Sequence, residues 1–362
     1  MRILFTSNLS GLGGGEISIL HIIKKLITRH EIFLLCPQEG TLASAAREIG
    51  VTVIVDNFKR KNIFMTFYKF NRLGDFDIVH SNECSAALLF GAFNTLRKNK
   101  FKNYWTCHGQ WYVFSKIKAH FIGELTTGIF CVSNNVYKNL KKYGIEKLTL
   151  SYLGVDFSKE IISSGKKIRE ELELKEDAVL ITTVARYEKV KGQYKAIEAL
   201  EPILLQDSNI HYVLVGGSVF GNEEDINYYN RVIERVNKSP CKKQIHILGE
   251  RRDIDEIMQN VDLLLVPSDR ESLSMVTIEA IKNNLMVITT PCEGPEEILE
   301  NNEALICTEN SSIGIRKKIY EFLYEENIKQ DMLIQYEEIE KHVKSRFSID
   351  KVTKIYEDIF ND

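Results

Sequence analysis

Short runs rich in Val, Ile and Leu recur along the whole chain, separated by helix-length amphipathic stretches. This alternation restricts the fold more than any other feature. In the first half the runs lie near 2–8, 31–37, 51–55, 77–82, 103–108, 128–133 and 148–153. In the second half they lie near 179–185, 211–216, 244–248, 262–267, 286–290 and 304–307. Helical periodicity fills most of the gaps, as at 15–29, 62–72 and 134–143, then at 191–205, 224–237, 253–259, 275–284, 295–301 and 312–327. Strands buried on both faces read as continuous apolar runs, and a helix between two of them makes a parallel crossover. The expected class is therefore α/β, built on parallel sheets covered on both faces.

At 362 residues, 44% of them hydrophobic, the chain can fill two cores. The pattern pauses after Gly154. The stretch 155–178 is charged and holds Ser163-Ser164-Gly165, and a new apolar strand starts at Ala178. The division expected is 1–155 for one Rossmann-like domain and 156–348 for a second. Residues 349–362 add an amphipathic helix with Val352, Ile355, Tyr356 and Ile359 on one face, able to lie on either domain. Two doubly wound domains facing a cleft would bind ligands at the carboxyl ends of their strands.

Charge is split between the halves. Of the 47 basic and 50 acidic residues, 20 and 10 lie within 1–155, a net +10; the remaining 27 and 40 leave −13. An anionic partner for the first half follows, either through a docking face for anionic lipid or as simple solvation. The clusters are Lys59-Arg60-Lys61, then Arg97-Lys98 with Lys100 and Lys102, then Lys116 with Lys118. No nucleic-acid module is present, and aromatic interleaving stops at Tyr104-Trp105 and Trp111-Tyr112. No run reaches the roughly 20 apolar residues of a spanning helix. MRILFTSN enters a strand directly, without the pattern of a signal peptide. The seven cysteines, an odd number without a CxxC pair, suit buried thiols in a reducing compartment. The location expected is cytoplasmic, with possible attachment at the inner face of the plasma membrane.

The sharpest motif runs from Asp269 to Ala280, after the strand Leu263–Val266 and Pro267-Ser268. Glu271 falls in the turn before a helix and Glu279 well inside it. Backbone N–H groups of Ser272, Leu273, Ser274 and Met275 at the helix start suit a diphosphate. Glu271 can accept hydrogen bonds from sugar hydroxyls and Glu279 from ribose hydroxyls. Next come Arg186, closing the first strand of the second domain, and Lys191-Gly192 opening the following helix. Fixed cations there would neutralise a leaving diphosphate, the work a metal does elsewhere. Gly11-Leu12-Gly13-Gly14-Gly15-Glu16 follows the first strand. It lacks the order GxGxxG, and no acidic residue ends the second strand, so it does not read as a dinucleotide site. Gly14 and Gly15 still permit close backbone approach of a ligand. His108 ends the strand through Trp105, and His80 ends that from Asp77. For both, the residues leave a structural and a site role open. Asp75-Phe76-Asp77 spells a metal-binding D-x-D, but Asp77 opens a strand instead of ending one. No zinc or calcium spacing occurs, and no metal is expected.

Taken together, these residues resemble retaining glycosyltransferases of family 4, the glycosyl transferases group 1 with the two-domain GT-B fold. The resemblance runs through Gly14-Gly15-Glu16, Asp77-Ile78-Val79-His80, His108-Gly109, Val132-Ser133 and Leu153-Gly154-Val155-Asp156. It continues through Arg186, Lys191-Gly192, Leu214-Val215-Gly216, Leu248-Gly249, Asp262, Pro267-Ser268 and Glu271 to Glu279. It closes on Val287-Ile288-Thr289-Thr290 and Gly294-Pro295-Glu296-Glu297. The resemblance implies that Arg186 and Lys191 hold the donor diphosphate, that Glu279 takes the ribose, and that Glu271 takes the sugar. It places His108 near the reacting face of the sugar and Gly249 with Glu250-Arg251-Arg252 beside the nucleobase. It implies that the last helix crosses back onto the first domain. It also implies front-face attack, the leaving phosphate helping to take the acceptor proton, so that no glycosidase-type carboxylate pair is needed. Two positions depart from the family. Ser272-Leu273-Ser274 stands where Gly-Phe-Gly is usual, making the pocket backbone less permissive, and Glu293-Gly294 replaces a glycine pair.

The function expected is transfer of a sugar from a nucleotide-diphosphate donor, a UDP-sugar by default. The acceptor would be a glycan or lipid-linked molecule in surface polysaccharide synthesis, and no cofactor is required. The alternatives are an epimerase or hydrolase of nucleotide sugars on the same fold, an NAD(P)-dependent oxidoreductase, and a catalytically silent scaffold.

Overall fold

The computed structural model describes residues 1–57, 63–109, 112–158, 167–217 and 223–362. Lys59-Arg60-Lys61, Trp111 and Ser163-Ser164-Gly165 lie outside them. The chain forms two units: Met1–Asp156 with Phe347–Asp362, and Phe157–Arg346.

In the first unit, strands β1 (Arg2–Thr6), β2 (Glu31–Cys36), β3 (Thr52–Val55), β4 (Ile78–Ser81), β5 (Lys102–Cys107), β6 (Gly128–Cys131) and β7 (Leu148–Leu150) form one parallel sheet. Its order is β3-β2-β1-β4-β5-β6-β7. The crossovers contain α1 (Gly14–Leu26), α2 (Thr41–Glu48), α3 (Ile63–Arg72), α4 (Cys84–Leu96), α5 (Lys116–Leu125) and α6 (Asn134–Lys141). One core, with Ile3, Phe5, Ile22, Ile23, Leu26 and Ala43, lies under α1 and α2; another, with Leu4, Phe70, Val79, Phe90 and Phe93, lies under α3 and α4. Opposite faces of β1 thus feed opposite cores, as the alternation of side chains along a strand requires. Strand order reverses between β1 and β4, so the loops after these two strands diverge and leave a crevice at their carboxyl ends.

In the second unit, after α7 (Lys167–Glu171), the strands are β8 (Val179–Val184), β9 (Ile210–Val215), β10 (Ile245–Gly249), β11 (Leu263–Val266) and β12 (Val287–Thr289). They lie parallel in the order β10-β9-β8-β11-β12, reversing between β8 and β11. The helices are α8 (Gln193–Gln206), α9 (Glu223–Asn237), α10 (Ile254–Met258), α11 (Met275–Lys282), α12 (Glu293–Ile298), α13 (Ser312–Tyr324) and α14 (Glu326–Phe347). The apolar run 304–307, read as a strand, contributes only a bridge between Thr289 and Ile306. Leu305, Ile306 and Cys307 are buried there by packing, without a ladder of their own. Sequence periodicity missed α14, whose buried stripe is Met332, Tyr336, Ile339, Val343 and Phe347 in an otherwise charged helix.

Helix α15 (Ile349–Asn361) belongs to the first unit. Ile349, Val352, Tyr356 and Phe360 enter the core beneath α1. Tyr356 stacks on Phe130 with centroids 4.2 Å apart. Burial of such side chains contributes roughly 1.5–3 kcal/mol each. This packing explains His80. It is fully buried in β4, its Nε2 lies 2.7 Å from Thr106 Oγ1, and Thr106 in turn meets the Tyr356 hydroxyl at 3.0 Å. Burial lowers its imidazole to about 3, so it is a neutral core residue.

All seven cysteines, each among the described residues, are buried thiols. Among the described residues, no helix is long and apolar enough to cross a membrane.

Candidate active site

Two groups of polar side chains sit at the switch points, one in each unit. In the second unit, the loops after β8 and β11 are pinned together. Gly192, with φ +72°, lies so close to Pro267 that a Cβ would stand 2.0 Å from its carbonyl oxygen. Only glycine fits both the left-handed backbone and the contact. The Asp269 N–H donates to the Val190 carbonyl at 2.7 Å, and Lys195 Nζ meets Asp269 Oδ1 at 2.6 Å. Across this junction Lys191 Nζ donates to Glu271 Oε1 at 2.7 Å, and the Ser268 hydroxyl donates to the same oxygen at 2.9 Å. Both charged side chains are largely buried. Lys191 ends a single 3-10 turn, Lys189–Lys191, ahead of α8; it does not open the helix itself. Arg186 follows β8 by two residues and pairs with Glu188 at 2.9 Å. Glu188 was not singled out in the sequence, although its place two residues from Arg186 is the signal that could have found it.

Ser272, Leu273 and Ser274 are buried immediately before α11, and Met275 begins it. Ser274 adopts φ +57°, ψ +83°, the left-handed conformation that glycine takes freely, and its hydroxyl lies 2.9 Å from Thr277 Oγ1. The serine that departs from the family pattern thus keeps a glycine-like backbone, at a cost of about 1–2 kcal/mol that its hydroxyl contact partly offsets. Gly294 donates its N–H to the Glu271 carbonyl at 3.0 Å, which ties α12 to the same turn. Glu279 is partly buried inside α11. Burial, reinforced by the charge of Asp255, lifts its carboxyl to about 7. Gly249 ends β10 with φ +68°, and its carbonyl accepts from Gly216 N–H at 2.8 Å. Arg251 is held by Asp253 and Glu171, each at 2.6 Å, and these pairs raise its already high pKa.

In the first unit the crevice between β1 and β4 holds Ser7, Glu16, Asn82 and Glu83, with His108 just past β5. The His108 ring lies over Gly15, where a Cβ would stand 3.2–3.3 Å from Cε1, Nδ1 and Nε2. Its Nε2 meets Asn82 Oδ1 at 2.8 Å. Burial lowers the imidazole to about 4, so it is neutral at ordinary pH. Gly14 starts α1, one residue before Gly15. The structure therefore brings Gly15 and His108 together, and separately brings Lys191, Glu271 and residues 272–275 together. Asp75 and Asp77 sit at the amino end of β4, on Arg97, Asn99 and the Arg2 N–H. They fasten the strand's start, away from either switch point.

Comparison with known proteins supplies the class. Residues 12–159 match the family described as Glycosyltransferase Family 4, and residues 164–339 match Glycosyl transferases group 1. The O-antigen biosynthesis glycosyltransferase WclY of Escherichia coli is 22% identical over 376 residues, covering 100% of this chain and 98% of its own. The N,N'-diacetylbacillosaminyl-diphospho-undecaprenol alpha-1,3-N-acetylgalactosaminyltransferase of Campylobacter jejuni is 25% identical over 389 residues, covering 92% of each. The crystal structure of HepE from Anabaena in complex with UDP-glucose superposes with a TM-score of 0.86 at 18% identity, covering 100% of this chain and 99% of that one. Its fold is shared throughout. The chain belongs to the GT-B glycosyltransferases, its first unit of the family 4 kind and its second of the group 1 kind.

Proposed function

We propose that this glycosyltransferase is a retaining, metal-independent enzyme of surface polysaccharide synthesis. It moves a sugar from a UDP-linked donor to a glycan or lipid-linked acceptor. The observation that carries this reading is the Lys191–Glu271 pair at the switch point of the second unit, beside the start of α11. A carboxylate held by a cation and a serine hydroxyl keeps its second oxygen for sugar hydroxyls. Lys191, with Arg186, supplies fixed positive charge where a diphosphate leaves, and fixed charge needs no reorganisation during reaction. The first N–H groups of α11 lack partners within the helix and favour phosphate. Glu279, with its carboxyl near 7, can both donate to and accept from ribose hydroxyls. HepE, by its complex, holds UDP-glucose, and the Campylobacter relative is named for a diphospho-undecaprenol substrate. Both support a UDP donor and a lipid-linked acceptor here.

An anionic membrane surface at the cytoplasmic face would meet the first unit at α5. Ile117 and Phe121 are 71% and 53% exposed one turn apart, with Val113 84% exposed just before them and exposed Lys116 and Lys118 alongside. Of the other described basic cluster, Arg97 pairs with Asp75 and Lys102 donates to the Phe360 carbonyl, so both serve the fold.

The test is thermal unfolding with nucleoside diphosphates, with and without EDTA, followed by turnover of the donor that binds. A ligand at 100 times its Kd adds about 2.7 kcal/mol. Glu271→Ala should retain diphosphate binding and lose turnover, and the product's anomeric configuration should match the donor's. Near-normal turnover in Glu271→Ala, or an inverted product, would overturn the reading. Consumption of donor without acceptor would favour the epimerase or hydrolase alternative.

A further inference from the structure

Behind His108 lies a chain of buried groups with fixed hydrogen-bond polarity. Glu16 is 5% exposed and sits in the first turn of α1. Its Oε2 accepts from the Gly13 N–H at 3.2 Å, and its Oε1 accepts from the Ser7 hydroxyl at 3.2 Å and the Asn82 amide nitrogen at 3.4 Å. The Ser7 oxygen itself accepts from the Leu9 N–H at 3.1 Å, and its one proton faces two carboxyl oxygens, Glu16 Oε1 at 3.2 Å and the more distant Glu83 Oε1 at 3.4 Å, so the shorter contact takes it. A backbone N–H and a side-chain NH2 can only donate. With the Gly13 N–H on Oε2 and the Ser7 hydroxyl on Oε1, Glu16 presents an acceptor to Asn82, and the Asn82 amide is set with its nitrogen toward Glu16. The amide oxygen must then face His108. An oxygen there can only accept, so the proton lies on His108 Nε2, 2.8 Å away. A neutral imidazole carries one ring proton, and Nδ1 is left with a bare lone pair.

We propose that Glu16 and Asn82 are positioning residues that lock His108 in its Nε2–H tautomer, so that it offers Nδ1 as a hydrogen-bond acceptor to a ligand hydroxyl at the switch point of the first unit. The use of Nδ1 rests on the function proposed above; the tautomer rests on the first unit alone. Gly15 completes the device by letting the ring lie flat on α1, where a methyl group would push it away. Each member is supplied by a different element: α1, the turn after β4 and the turn after β5. The relay therefore exists only when the switch point of the first sheet is assembled. The other tautomer would place an N–H at Nδ1, reversing the polarity that the ring offers a ligand.

The experiment is long-range proton–nitrogen correlation on protein labelled with ring-15N histidine, with His108 assigned by loss of its signals in His108→Gln. In the unliganded wild type, Nε2 should be protonated and Nδ1 bare. Glu16→Gln, whose amide can present either polarity to Asn82, should mix the tautomers and lower kcat roughly ten- to hundredfold. Asn82→Asp, which presents an acceptor in either orientation, should keep the Nε2–H form. Asn82→Leu removes the amide while leaving Gly13 and Ser7 on Glu16, and serves should Glu16→Gln fail to fold; it too should release the tautomer. A wild-type His108 protonated on Nδ1, or an unchanged tautomer in both Glu16→Gln and Asn82→Leu, would overturn the proposal. Because the spectra need no donor, an absence of sugar transfer would refute the functional reading without touching the tautomer result.

Discussion

Glu83→Gln turns a burial effect into a measurable pH profile. Glu83 stands just before α4; its Oε1 accepts from the Asn8 N–H at 2.9 Å, and its Oε2 is buried without a hydrogen-bond partner among the described residues. Burial raises its carboxyl from 4.5 to about 7, helped by the neighbouring Glu16 charge and opposed by the Asn8 N–H. Between these two values the folded protein holds a proton that the unfolded chain has released. Stability contributed by this group is therefore complete below pH 4.5, falls as pH rises, and is lost above about 7. A shift of about 2.5 units at 1.36 kcal/mol each corresponds to about 3 kcal/mol at most. Glutamine keeps the acceptor for Asn8 and cannot ionise. The stability difference between variant and wild type should thus move in the variant's favour by up to about 3 kcal/mol between pH 4.5 and 8. For a unit of this size that is a Tm difference changing by roughly 6–12 °C. Urea or thermal unfolding at half-unit pH steps reads it, and the shared contribution of Glu279 cancels. Parallel profiles for the two proteins would show that Glu83 ionises normally in the fold and would refute the argument.

Gly15→Ala should displace the His108 ring by a few tenths of an ångström, lowering kcat while Tm moves little; activity and melting curves on the same preparation check it. Ser274→Gly relieves the left-handed serine but removes its contact with Thr277, so stability should change by less than about 1 kcal/mol, as denaturant midpoints would show. Vesicle binding through Ile117, Phe121 and the flanking lysines should weaken both in Phe121→Ser and as salt rises, in sedimentation with anionic liposomes.

Much of this architecture was legible because buried parallel strands leave continuous apolar runs. Leu263–Val266 and Val179–Val184 could be read directly. The run 304–307 misled because burial, not ladder pairing, selects its residues. Helix α14 escaped because its apolar stripe is narrow and most of its residues are charged or polar. His80 and His108 looked alike because sequence does not report depth: one is buried beneath α15, the other lies just beyond its strand over Gly15. Asn82 and the polarity of Glu16 were invisible for a related reason. Their roles depend on which loops diverge at a reversal of strand order, a property of the assembled sheet.

The return of the chain into its first unit has a consequence for synthesis. The core beneath α1 lacks Ile349, Val352, Tyr356 and Phe360 until residues beyond 346 have left the ribosome. Domains usually fold in order as they emerge, the first one earliest. Here the earliest-made sheet must wait, its Phe130 and His80 uncovered, while the whole second unit is translated. A premature stop shortly before residue 349 would therefore cripple the half of the protein made first, and leave the half made last nearly whole.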